Sequence, residues 1–180
     1  LEQEVAGFIY IVLNKPKGYV CSKSENDGKS IYRLLPENMQ NLSYAGRLDK
    51  DSHGLVVLSN DGKFSYNIFG AEFNTEKEYI VRVDKPLTSD YIKQQANGSL
   101  IIDGKKIRTA KVKQIGEYAY KITLTEGINR QIRKMAQALN YKVLDLKRIR
   151  IAGIIDTNIP LAKWRYLTKD EINSISRTKN

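Results

Sequence analysis

Cysteine and histidine are almost missing from this 180-residue sequence, which has one of each, Cys21 and His53. A single cysteine excludes an internal disulfide, and a single histidine leaves no recognisable zinc cluster. Both point to a reducing, cytoplasmic setting and to chemistry without a transition metal. No apolar run is long enough to cross a membrane, and no signal peptide is visible. Internal repeats, low-complexity segments and clear linkers are missing as well. Acidic residues are in deficit, with 20 Asp and Glu against 30 Lys and Arg, a formal net charge of +10. That bias favours a polyanionic partner, nucleic acid before membrane, although composition does not separate RNA from DNA.

What is present suits one domain, or two lobes sharing a core. The 41% hydrophobic and 9% aromatic content is that of a globular chain. Phe8-Ile9-Tyr10-Ile11-Val12-Leu13 signals a strand, broken at Asn14-Lys15-Pro16-Lys17-Gly18, where Pro16 stops the ladder and Gly18 permits a turn. Lys15 and Lys17 either touch phosphate or belong to a solvated turn. Residues 30–35 read as a short helix stopped by Pro36, and residues 63–69 as another. Residues 76–83 alternate as a strand with Tyr79, Val81 and Val83 on one side, so the pattern alone makes Tyr79 a core tyrosine needing one hydrogen-bond partner. Thr88 can cap a helix over residues 90–96, and residues 100–102, 110–113 and 118–124 read as an antiparallel meander with one basic face. Strands outnumber helices in irregular order. The expected class is therefore α+β, a central mixed, mostly antiparallel sheet flanked by helices.

Two stretches carry chemistry. In Gly46-Arg47-Leu48-Asp49-Lys50-Asp51-Ser52-His53-Gly54, charged residues lie between apolar runs that read as buried strands. Such a loop can aim Arg47 and Asp49 at one cleft while Leu48 anchors in the core; the plain alternative is a solvated turn. His53, lacking a partner ligand, reads as a variable loop residue. Further on, Ile128, Ile132, Met135, Ala136 and Leu139 recur at helical spacing, with Asn129 as the expected cap. Arg130, Arg133 and Lys134 fall in the first turns, where exposed cations oppose the macrodipole at a few tenths to about 1 kcal/mol each. An anion is expected there, either a nucleic-acid phosphate or a carboxylate from another loop.

Gly46-Arg47-Leu48-Asp49 leading into Gly54-Leu55, Lys77-Glu78-Tyr79 opening a strand, and Glu126-Gly127-Ile128-Asn129-Arg130-Gln131-Ile132-Arg133-Lys134-Met135 together resemble the RsuA-type ribosomal RNA pseudouridine synthases, and within them the branch acting on large-subunit RNA. Asn14-Lys15-Pro16-Lys17-Gly18, Lys147-Arg148-Ile149-Arg150-Ile151 and Trp164-Arg165-Tyr166-Leu167-Thr168 fit the same pattern, so the likeness spans residues 8–168.

The resemblance implies a basic catalytic cleft in which the N1 bond between uracil and ribose breaks, the base turns, and C5 takes its place, with no metal or cofactor. By matching position Asp49 is the catalytic aspartate, as nucleophile at C1′ or in a glycal route, and must be ionised. Arg133 is the basic residue paired to it, and Tyr79 stacks on the uracil and helps remove the C5 proton, which displaces the core-tyrosine reading. Ile132 lines the pocket behind the base, and Arg47 occupies the gap left by the flipped uridine. Lys15, Lys17, Arg130, Lys134, Lys147, Arg148 and Arg150 are then phosphate contacts, although Lys147 and Arg148 alternate on a strand and cannot face one groove.

The expected partner is large-subunit ribosomal RNA, with no membrane, bound by a monomer. Residues 1–7 are expected to be a tail or the remnant of a linker to an RNA-binding domain, 8–168 the catalytic domain, and 169–180 a partly helical tail. A noncatalytic RNA-binding module using the same cleft is the alternative; a glycosidase or nuclease using Asp49 and Asp51 fits less well.

Overall fold

The computed structural model describes residues 4–5, 7–70 and 74–176; the outermost parts of both expected tails lie outside them. Among the described residues ten strands form one sheet. They are β1 (Glu4–Val5), β2 (Phe8–Lys15), β3 (Ser43–Ala45), β4 (His53–Ser59) and β5 (Lys77–Val83). The rest are β6 (Lys111–Gln114), β7 (Ala119–Leu124), β8 (Val143–Ile151), β9 (Ile154–Ile155) and β10 (Trp164–Tyr166). The spatial order is β1-β2-β4-β8-β5-β7-β6, with β10 on β2, β3 on β4 and β9 on β8. Within this sheet every pairing is antiparallel except β4 with β8, where Lys147 lies opposite His53 and Arg148 opposite Gly54.

That parallel pair joins two halves built on different hydrophobic patterns. In β2 and β4 the apolar runs are unbroken because both faces are covered. Tyr10, Val12, Leu55 and Val57 pack on one side with Phe64 and Ile68, and Ile11, Leu13, Val56 and Leu58 on the other with Ile31, Met39 and Leu42. In β5, β7 and β8 the pattern alternates. Val81, Val83, Tyr120, Ile122 and Leu146 face a single core with Tyr91 and Met135, while Arg82 on the opposite side of β5 is exposed. The α+β class and the mostly antiparallel sheet agree with expectation.

Helices α1 (Gly62–Phe69), α2 (Ser89–Ala96), α3 (Gln131–Gln137) and α4 (Lys169–Ser176) pack on the sheet. Asp61 caps α1 by accepting from the Phe64 N–H, and Thr88 caps α2 by accepting from the Tyr91 N–H. At α4, Thr168 and Glu171 exchange hydrogen bonds in a capping box.

Three sequence expectations change. Ile31–Leu34 is a 3-10 turn, short because Pro36 closes it. Ile101–Ile102 pairs with Lys105–Lys106 in a separate hairpin, so the meander is reduced to β6 and β7. Asn129 does not cap α3; Arg130 does, in a left-handed conformation (φ 54°) and without a side-chain capping bond. Among the described residues no helix is long and apolar enough to cross a membrane.

Candidate active site

The loop between β3 and β4 carries Arg47, Asp49 and Asp51, and groups from four other parts of the chain hold its backbone. Leu48 is buried, and its N–H and C=O both meet Cys21 Sγ, at 3.4 and 3.5 Å. Lys50 C=O accepts from Gly18 N–H (2.8 Å) and Lys15 Nζ (3.4 Å). Arg148 Nη1 donates to Arg47 C=O at 3.4 Å, and Arg133 Nη2 donates to Asp51 C=O and Ser52 Oγ, each at 3.0 Å. Gly46 is required, since its φ is +82° and a Cβ would stand 2.3 Å from the Phe69 ring. Asp49 is thus presented by a fixed frame, its side chain one-third exposed.

Asp49 opens into a cavity of about 590 Å³ that also includes Arg47, Tyr79, Arg130, Ile132 and Arg133 in its lining. These residues come from three segments far apart in the chain, and the sheet brings them together. Tyr79 lies half-buried on the core face of β5, packed between two hydrophobic clusters. No hydrogen bond to its hydroxyl occurs among the described residues, so the partner expected of a core tyrosine is missing. Ile132 is 4% exposed and forms part of the wall. Lys77, Arg148, Phe69 and Glu126 complete the inner end.

The anion expected at the start of α3 is a protein carboxylate. Arg130 makes a bidentate pair with Asp51, at 3.0 and 2.8 Å, and its Nη1 lies 3.6 Å from Asp49 Oδ2. The Arg130 hydrogen bond holds the Asp51 carboxyl below its usual range, against a smaller upward push from burial. Lys134 pairs with Asp103 at 2.6 Å. The implied Arg133–Asp49 pair is not among the ion pairs of the described residues: Arg133 Nε lies 3.5 Å from Asp51 Oδ2 instead, because its guanidinium is drawn to the Asp51 C=O and the Ser52 hydroxyl.

Several expected phosphate contacts are engaged elsewhere. Lys15 is fully buried and donates to the carbonyls of Pro16 (2.8 Å) and Tyr19 (2.7 Å); burial pulls its pKa down to about 8. It buttresses the Asp49 loop and is closed to RNA. Lys17 pairs with Asp145, Arg150 with Glu76 at 3.1 Å, and Lys147 with Asp156 at 2.9 Å. Arg148 is 2% exposed and faces the cavity rather than the surface. His53 is the first residue of β4, its Nε2 3.0 Å from Asp145 Oδ2, and is no loop residue.

Sequence reading gave no site role to Cys21, Phe69 and Lys77, and weighed Asp51 only as a second acid of a glycosidase or nuclease. For Lys77 a signal existed: it shares a strand face with Tyr79, Val81 and Val83, and a charge on a core face calls for a reason.

Against known proteins, residues 9–138 match the family model for RNA pseudouridylate synthase. The chain is 38% identical over 170 residues to the dual-specificity RNA pseudouridine synthase RluF of Escherichia coli K12, covering 94% of this chain and 58% of that protein. It thus spans less than two thirds of the RluF relatives it matches. It is 34% identical over 176 residues to the ribosomal small subunit pseudouridine synthase A of Yersinia pestis, covering 96% of this chain and 75% of that one. A crystal structure of a pseudouridylate synthase superposes with a TM-score of 0.89 at 32% identity, over 97% of this chain and 76% of the other. With the family model matched over more than half its length, and with the RsuA-type motifs in order, this chain belongs to the RNA pseudouridylate synthase family.

Proposed function

We propose that this domain isomerises uridine to pseudouridine in ribosomal RNA, and that its substrate is the large-subunit RNA of the branch its motifs resemble. The carrying observation is the convergence of Asp49, Tyr79, Ile132 and Arg47 on one cavity whose lining has five cations (Arg47, Lys77, Arg130, Arg133, Arg148) against two carboxylates (Asp49, Glu126). That excess suits a phosphodiester chain and supports a basic cleft. RluF is named for RNA pseudouridine synthesis and the Yersinia relative for the small ribosomal subunit. Both names support an RNA uridine as substrate.

In this reading the target uridine flips into the cavity, at a cost of a few kcal/mol, and Arg47, exposed at the rim, fills the gap. Asp49, with Arg130 3.6 Å away, acts at C1′ as nucleophile or as the counter-charge of a glycal route. Tyr79 lies against the base with its hydroxyl free for the proton leaving C5. Ile132 closes the pocket behind the ring. Arg133 acts at one remove, by holding the loop through the Asp51 C=O and the Ser52 hydroxyl. Neither a metal nor a cofactor takes part; the enzyme works as a cytoplasmic monomer, and residues 8–168 are its catalytic domain.

Tritium release from RNA labelled at C5 of uridine tests this. The parent chain on protein-free large-subunit RNA releases tritium and Asp49→Ala does not. If both bind the RNA and neither releases tritium, the chain is a binding module.

A further inference from the structure

Two of the five cations lining the cavity are given no contact with the reacting atoms in the mechanism above. Lys77 and Arg148 line the cavity, yet they are only 7% and 2% exposed. They share the core-facing side of adjacent strands with Tyr79: Arg148 is the register partner of Tyr79, and Lys77 precedes it by two residues. One aromatic ring lies against both, with the Phe69 centroid 5.5 Å from Lys77 Nζ and 5.8 Å from Arg148 Cζ.

Neither cation has a carboxylate ion pair among the described residues. Lys77 Nζ donates to Glu126 C=O at 3.1 Å, leaving donors to spare. Arg148 Nε donates to Leu55 C=O at 2.9 Å and Nη1 to Arg47 C=O, while the buried Nη2 has no hydrogen-bond partner. The Glu126 carboxylate is engaged by the Arg108 N–H (2.8 Å) and Gln131 Nε2 (3.0 Å). Two deep cations without a carboxylate partner among the described residues oppose folding, so their retention beside the reacting residues calls for a ligand that brings negative charge.

We propose that Lys77 and Arg148 form the subsite that receives a carbonyl oxygen of the flipped pyrimidine and the negative charge that oxygen acquires as the base leaves the sugar. The proposal rests on the isomerisation reading. When the N1–C1′ bond breaks, its electron pair stays with the base, and the resulting uracil anion spreads its charge onto the carbonyl oxygens. C1′ is satisfied by the Asp49 carboxylate, or by loss of the 2′ proton. The base then turns, an electron pair at C5 bonds to C1′ as the Asp49 carboxylate leaves that carbon or as the 2′ proton returns, and the C5 proton is then lost to a base while N1 takes one up. Lys77 and Arg148 transfer no proton. They are fixed charges in a water-poor place, where such donors act most strongly, and they complement the base as Asp49 complements the ribose.

Lys77 makes the proposal measurable. Among the described residues the charged groups facing it are Arg148 from β8, Arg108 ahead of β6, and Glu126 beyond β7. Burial, aided by Arg148 and Arg108 and opposed by Glu126, brings its pKa down to about 8. The cation is present below that pH and lost above it.

The test is single-turnover tritium release at saturating RNA from pH 6.5 to 9.5, with RNA affinity and melting temperature measured in parallel, for the parent, Lys77→Met and Lys77→Arg. Lys77→Met lowers the rate about 100-fold or more at unchanged affinity. The parent rate falls as pH rises through about 8. Lys77→Arg recovers most of the rate and abolishes that fall. A folded Lys77→Met that reacts like the parent overturns the subsite, and so does one that loses affinity while keeping its rate, because the lysine then binds a phosphate. Should Lys77→Met not fold, identical alkaline limbs in the parent and Lys77→Arg overturn it. A parent that releases no tritium removes the isomerisation itself, a different result from an active parent with a silent Lys77→Met.

Discussion

Asp51, two residues beyond the catalytic candidate, is the side chain that ties the loop to α3 through its bidentate pair with Arg130. The pair is worth little to stability: Asp51 is 48% and Arg130 42% exposed, so solvent screens it and the contribution stays below about 1 kcal/mol. Arg130 depresses the Asp51 carboxyl, so that contribution is complete at neutral pH and lost only as pH falls through the lowered pKa. Its effect on geometry is larger, because Arg130 reaches Asp49 from the position Asp51 gives it. Asp51→Asn is expected to leave the melting temperature nearly unchanged while lowering the single-turnover rate on the order of 10- to 100-fold, as small misplacements of reacting groups do. A rate equal to the parent's would show that Arg130 holds its place unaided. At this scale the sequence was legible in part. Asp49, Tyr79 and Arg47 were readable from motifs, and the need for an anion at the start of α3 from charge alone. Which carboxylate answers that need was not readable, because Asp51 lies 79 residues away from Arg130.

Among the elements, the β4–β8 junction decides where the cleft lies. Only two register pairs join these strands, and the residue that allows their approach is Gly54, with φ +115°. A Cβ there would stand 2.3 Å from Arg148 O and 2.7 Å from Arg148 N, and backbone in the middle of a sheet has little room to yield. Gly54→Ala is therefore expected to destabilise the fold by about 2 kcal/mol or more, through overpacking and a disfavoured dihedral. A urea midpoint within error of the parent's would mean that the strands can part freely. The apolar runs of β2 and β4 and the alternation of β5 were legible because local periodicity reports burial directly. Strand partners were not: a parallel pair between residues 53–54 and 147–148 leaves no local trace. The start of α3 misled for a related reason, since the left-handed Arg130 is supported by tertiary contacts that propensity does not contain.

The formal charge of +10 is a property of the whole molecule, and the fold decides how much of it an RNA can reach. Lys15 is buried, and Lys17, Lys134, Lys147 and Arg150 are held by carboxylates, so much of the expected phosphate-binding set is occupied. Lys105 and Lys106, which the sequence reading did not single out, are both exposed and without ion pairs among the described residues. Their hairpin is tied to α3 through Asp103 and Lys134, which places its charge beside the helix that enters the cleft. Each phosphate contact on single-stranded RNA contributes about 0.7 to the slope of log affinity against log salt. Consecutive residues of a strand face opposite ways, so one of the two reaches the RNA, and the double change Lys105→Ala with Lys106→Ala should lower that slope by about 0.7 and weaken binding at low salt. It should leave the single-turnover rate at saturating RNA intact, since neither lysine lines the cavity. An unchanged slope would move the RNA path off this hairpin, and a lost rate would mean that the hairpin orders α3 rather than the RNA.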